Sequence, residues 1–160
     1  MPNNLTRLVW CLLFLFAVSG CSKAKLDPCS LLSVGEAQQF DSTISLAKAF
    51  PPKASEKNDL CLYYNADGEP RLMLFVWNDP DIDPMDTVKS GMSRGNSKII
   101  EIAGVGEKAV AGFSSGELKL FAARNEKGMI GVRVRDPITE SDAKFDDVKA
   151  LAAKVLERIK

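Results

Sequence analysis

Between residues 97 and 135 the chain breaks into four short strand-like runs, about 97–103, 106–111, 117–124 and 129–135. They are punctuated by Gly104, Gly112, Gly116 and Gly128. In the last run Ile130, Val132 and Val134 alternate with Arg133 and Arg135, which predicts one buried and one wet face. Upstream, Leu60, Leu62 and Tyr64 alternate with Cys61 and Tyr63 as far as a turn at Ala66-Asp67-Gly68. Leu72 to Trp77 is apolar on both faces, as in a central strand, so these two runs read as an antiparallel hairpin.

Helical signals bracket the strands. Ser33 and Glu36 form a capping box ahead of a first helix over 31–40. Residues 41–58, which hold Pro51 and Pro52, read as a loop with at most one irregular strand. Asp83, Pro84 and Asp86 have the order of a helix start, for a helix running to about Ser93 and stopping at Gly95. At the C-terminus Val148, Leu151, Ala152, Val155, Leu156 and Ile159 make an apolar stripe opposite Lys149, Lys154, Glu157 and Arg158. The order predicts an α+β fold, an antiparallel β-sheet covered by helices, with a C-terminal amphipathic helix across it.

The N-terminus carries an address. Arg7 precedes an uncharged apolar run from Leu8 to Val18, too short for a membrane span of about 20 residues but suited to a signal peptide core of about 7–15. The run ends in Val18, Ser19, Gly20 and Cys21, which resembles the lipobox of bacterial lipoproteins. There the Cys thiol takes a diacylglyceryl group, the chain is cut before it, and the new amine is acylated. An ordinary signal peptide with a chance Cys, or an uncleaved anchor, is the competing reading. The lipobox divides the chain into a signal peptide (1–20), a lipidated Cys with its tether (21–28) and a single α+β domain (29–160). Two or three acyl chains, such as palmitate, at about 0.8 kcal/mol per buried methylene, hold a protein on a membrane permanently. Ser22 and Lys23 follow Cys21, with no Asp at the second mature position; in a cell with two membranes this implies the periplasm-facing outer membrane, otherwise the outer face of the cytoplasmic membrane.

Of four cysteines, Cys11 falls in the signal and Cys21 takes the lipid. Cys29 and Cys61 remain, and in an exported chain a disulfide is the default. A redox pair or a two-thiolate metal site is the alternative, without Cys-x-x-Cys spacing or a His to support it.

Composition narrows the chemistry. The chain has no His, which removes His-dependent nucleophile triads and His-ligated zinc. Lys plus Arg (21) equals Asp plus Glu (21), so no net field draws nucleic acid. Asp79, Asp81 and Asp83 imitate the start of a calcium loop, but Pro84 and Ser90 stand where it needs Gly and Glu. Gly104, Gly106 and Ala109 imitate a dinucleotide fingerprint without the helix it must open. Ser45 with Lys48, Ser141 with Lys144, and Lys89-Ser90-Gly91 imitate motifs of penicillin-interacting enzymes, which need far longer chains. Tyr63, Tyr64, Phe75 and Trp77 could stack on a ligand or pack a sheet face. No cofactor and no metal site is expected.

One family combines these features. Asp27-Pro28-Cys29-Ser30-Leu31-Leu32, the Glu36-Ala37 helix start, Cys61-Leu62-Tyr63, and Gly104-Val105-Gly106-Glu107-Lys108-Ala109 resemble the bacterial lipoproteins grouped as domain of unknown function 3558. Glu107 replaces the Asp usual there. The resemblance implies a PsbP-like α/β/α sandwich, bridged cysteines and no established activity. Three functional readings follow: a non-enzymatic module that binds an envelope protein partner, a carrier of a small apolar ligand between sheet and helices, or a hydrolase using Ser or a carboxylate. A flat apolar patch, a large lined cavity and convergent titratable groups would favour them respectively.

Overall fold

A computed structural model describes residues 27–50, 58–77, 79, 81–92 and 97–159. Val18, Ser19, Gly20, Cys21 and residues 22–26 of the tether lie outside the described residues, as do Pro51, Pro52, Ser93 and Gly95, while Asp27 and Pro28 at the tether's end belong to the first turn. A 3₁₀ turn (Pro28–Ser30) leads into α1 (Val34–Phe40), then β1 (Ile44–Phe50), β2 (Asp59–Asn65) and β3 (Pro70–Trp77). Helix α2 (Pro84–Gly91) follows, then β4 (Ser97–Ile102), β5 (Lys108–Ser114), β6 (Glu117–Asn125), β7 (Gly128–Val134) and α3 (Ala143–Leu156).

The strands form one seven-stranded antiparallel sheet in the order β1-β2-β3-β7-β6-β5-β4, so the fold is α+β. Two meanders are zipped together where β3 pairs with β7, Leu74 opposite Val132. Between them α2 carries the chain from the middle of the sheet to its far edge. The β5–β6 turn places Ser115 and Gly116 at φ 54° and 82°, the paired positive values that match the twist of a tight hairpin.

Side chains alternate along each strand, so one sheet builds two apolar faces. On the first, Cys61, Tyr63, Leu72, Leu74, Phe121, Ile130 and Val132 pack beneath Leu31, Leu32, Ala37 and α3. From α3, Val148, Leu151, Ala152, Val155 and Leu156 are buried there, with Ile159 just beyond its end. Phe145 joins them edge-on to Phe113 and Phe121, a core aromatic that the stripe did not include. On the second face, Val110, Leu120 and Ala122 pack with Val88 of α2, flanked by Met85, Met92 and Ile99.

The N-terminal segment is fastened to the first face in three ways. Cys29 and Cys61 form a disulfide with Cα atoms 5.2 Å apart. The buried Tyr63 hydroxyl donates to the Leu32 carbonyl at 2.6 Å. The Ser33–Glu36 capping box forms, and Glu36 also accepts from Arg158 at 2.6 and 2.8 Å and pairs with Lys154 at 2.9 Å, joining α1 to α3. Arg158 first, then Lys154, hold the Glu36 carboxyl far below the usual carboxylate range.

Several sequence expectations are corrected. Within 41–58 the one irregular strand allowed for in the loop is present as a full edge strand, Ile44–Phe50, with its register shift between Ile44 and Leu46. Of its residues only Ile44 is fully buried, so backbone pairing with β2 holds it. Gly112 does not end a strand. It lies inside β5 beneath α2, where a Cβ would come within 2.5 Å of Val88 Cγ1. The first helix begins at Val34, after the 3₁₀ turn, and α2 ends at Gly91. The last helix is preceded by Asp142, whose carboxylate accepts from the Thr139 N–H instead of capping the helix.

Candidate binding surface

The second face of the sheet is covered over only part of its width. Helix α2 packs on β5 and β6, while the same face of β1, β2 and β3 stays half-exposed. Strand register places its side chains in rows. Phe50, Leu60 and Phe75 are direct neighbours and lead to Gly131; Lys48, Leu62 and Met73 lead to Arg133. Leu46 lies opposite Tyr64 and is 56% exposed, the most exposed large apolar side chain among the described residues. Trp77 ends the row pattern beside α2, opposite Met129.

The aromatic part of this face is ordered by contact. Phe75 and Trp77 stack with centroids 5.9 Å apart, and the Arg133 guanidinium lies 5.7 Å from the Phe75 centroid. Gly131 makes room for the indole: a Cβ there would sit 3.0 Å from the Trp77 ring. The four aromatics therefore divide. Tyr63 is core; Tyr64, Phe75 and Trp77 belong to the open face.

Two clefts open between α2 and the sheet. One, of about 190 Å³, is lined by Asn58, Phe75, Trp77, Thr87, Ser90, Gly91, Leu120 and Arg133. The other, about 330 Å³, lies between Met73, Met92, Leu118 and the charged groups Glu117, Lys119, Arg133, Arg135 and Asp136. Both contain Gly91 and Arg133. The alternation of Arg133 with apolar neighbours marked it as solvent-facing; its stacking on Phe75 depends on strand pairing, which the local pattern does not carry.

The remaining motif residues do not converge. Asp83 caps α2 through the Met85 N–H at 2.7 Å and pairs with Lys108 at 2.7 Å; Lys108 first, then that N–H, lower its pKa. Asp79 accepts from the Asp81 N–H, an ordinary turn contact. Among the described residues no group of three or more Cys, Asp or Glu could hold a metal ion. Gly104 and Gly106 shape the β4–β5 turn at φ 80° and 60°, and a strand, not a helix, follows. Ser45 stands on the edge strand and Ser141 before α3, at separate places in the fold.

The buried ionic group missed by sequence reading is structural. Burial works to raise the Asp41 pKa, but hydrogen bonds from the Thr43 hydroxyl, the Arg71 guanidinium and the Thr43 N–H hold it down to about 2. Arg71 also reaches Asp136 at 2.6 Å, which Lys144 contacts at 3.2 Å. This chain of charges joins the end of α1 to β3 and the start of α3.

No family model, no curated protein and no solved structure matches this chain.

Proposed function

We propose that this chain is a lipid-anchored cell-envelope lipoprotein whose domain acts by binding and takes an envelope protein partner on the open half of its sheet. The observation that carries the reading is the half-exposed apolar face of β1–β3, with Leu46, Leu62 and Phe75 standing beside the part that α2 covers. Contiguous apolar surface of this kind on a small domain marks an interaction site. The residue types at 18–21 support lipid attachment at Cys21, and a Cys29–Cys61 bridge is in keeping with an oxidising compartment. A tether of five residues, 22–26, would keep the domain within about 15–20 Å of the bilayer, which suits a membrane-associated partner. The groups with lowered pKa, Glu36, Asp41, Asp83 and Asp142, are each accounted for by a cap, turn or ion pair, which favours binding over hydrolysis. In this reading the domain is a PsbP-like sandwich, as its resemblance to the 3558 lipoproteins implies, with α3 as its amphipathic covering helix.

The anchor is tested by Cys21→Ser. The wild type is expected in the membrane fraction carrying labelled fatty acid, and the variant outside it. Membrane retention of the variant, with no label on the wild type, would contradict the reading.

A further inference from the structure

We infer that the cleft between α2 and the sheet is a binding site for a small organic monocarboxylate with an aromatic or short aliphatic body, received by Arg133. This goes beyond protein docking on β1–β3, which requires no ligand in the cleft.

Arg133 is the charge in this region without a counter-charge. Its Nε is buried with no hydrogen-bond partner, and among the described residues it forms no ion pair; its one contact of note is the face of Phe75. The carboxylates lining the larger cleft are already engaged, Glu117 by Lys119 and Asp136 by Arg71 and Lys144. Arg135 is directed to Glu69 at 3.5 Å. The smaller cleft has no other charged side chain. The C-terminal end of α2 contributes partial negative charge nearby, since a Cβ on Gly91 would lie 3.4 Å from Arg133 Nη2, but it supplies no hydrogen bond.

A guanidinium is a planar fork that matches a carboxylate with two parallel hydrogen bonds. One guanidinium matches one negative charge, which selects a monocarboxylate over a phosphate dianion. Phe75, Trp77 and Leu120 line the rest of the smaller cleft and require an apolar body. Thr87, Ser90 and Asn58 stand at its border as neutral hydrogen-bonding groups. The space, about 190 Å³, admits a ring or a short chain.

The probe is 3-phenylpropionate, compared with its neutral amide. The full chain carries Trp10→Phe, leaving Trp77 as its one indole, and is held in phosphatidylcholine nanodiscs. Titration of the acid is expected to change Trp77 emission saturably, and the amide to bind about tenfold or more weakly, as loss of a charged hydrogen-bond pair implies. Arg133→Gln should lose the same factor and Arg133→Lys should recover part of it. Equal binding of acid and amide, absence of saturable binding, or unchanged binding in Arg133→Gln would each overturn the proposal. Should Arg133→Gln not fold, the comparison of acid with amide on the wild-type arginine decides it alone. Partner docking on β1–β3 is read by a different experiment and does not fall with this one.

Discussion

Replacing Tyr63 by Phe removes one hydroxyl from the first face and nothing else. The ring is fully buried in β2, and its O–H supplies a hydrogen bond to the buried Leu32 carbonyl, 31 residues earlier in the chain. Without it that carbonyl has lost a donor where water cannot replace it, a cost of about 1–3 kcal/mol. For a domain of about 130 residues, the entropy of unfolding is roughly 0.27 kcal/mol per kelvin, so a loss of ~2 kcal/mol lowers Tm by about 7 °C. Alkali adds a second, independent signature. Burial first, then the charges of Asp27 and Glu36, push the Tyr63 pKa well above the ordinary tyrosine range. A folded pKa raised above the unfolded one contributes stability below the unfolded value of about 10, and that contribution is lost as pH rises. The unfolded wild type ionises at Tyr63 while the folded one does not, so its advantage over the Phe variant should shrink by about 1.4 kcal/mol at pH 11. Urea unfolding of both proteins at pH 8 and pH 11, with the disulfide intact, measures both quantities. A difference below about 0.5 kcal/mol at pH 8, or one that does not shrink in alkali, refutes the reasoning.

Asp41 tests the opposite sign. With its pKa depressed from 3.8 to about 2, it contributes about 2 kcal/mol above pH 4 that is lost as pH falls toward 2. Asp41→Asn should be destabilised at neutral pH and show a shallower acid dependence in urea unfolding; an unchanged acid slope contradicts the assignment. Gly112→Ala places a methyl group 2.5 Å from Val88 Cγ1 and 2.8 Å from Met92 Sδ, an overpacking cost of about 1–3 kcal/mol. Val88→Ala added to it should recover part of that loss in thermal unfolding, and strictly additive losses would show that α2 does not press on Gly112.

The features legible in the sequence are those that local chemistry determines. A Ser three residues before a Glu makes the α1 capping box, Asp83 before Pro84 starts α2, and an apolar stripe spaced at i, i+3 and i+4 marks the buried residues of α3. The disulfide was legible from the cysteine count together with the export expected from the N-terminal run. What escaped depends on contacts distant in sequence. In β1 the run Ser45 to Ala49 buries almost nothing, so no apolar alternation announces it; only pairing with β2 makes it a strand. Gly112 resembles a turn residue until α2 is laid over it. Leu72 to Trp77 was legible as an interior strand, yet its second face is the exposed one, because α2 crosses at β5 and β6 instead. The candidate surface thus consists of residues whose apolar character was plain and whose exposure was not.

The central claim is that the open half-sheet meets a protein partner in the envelope, and in-cell photo-crosslinking tests it most directly. A benzophenone amino acid is placed at Leu46 or Leu62 on the open face, and at exposed Glu157 after α3 as the control. The account predicts one discrete protein adduct from both open-face positions and none from Glu157. It also predicts that Leu46→Lys weakens the adduct formed from Leu62 while leaving Tm unchanged, since Leu46 is 56% exposed. No adduct from either open-face position, or the same adduct from Glu157, would contradict it.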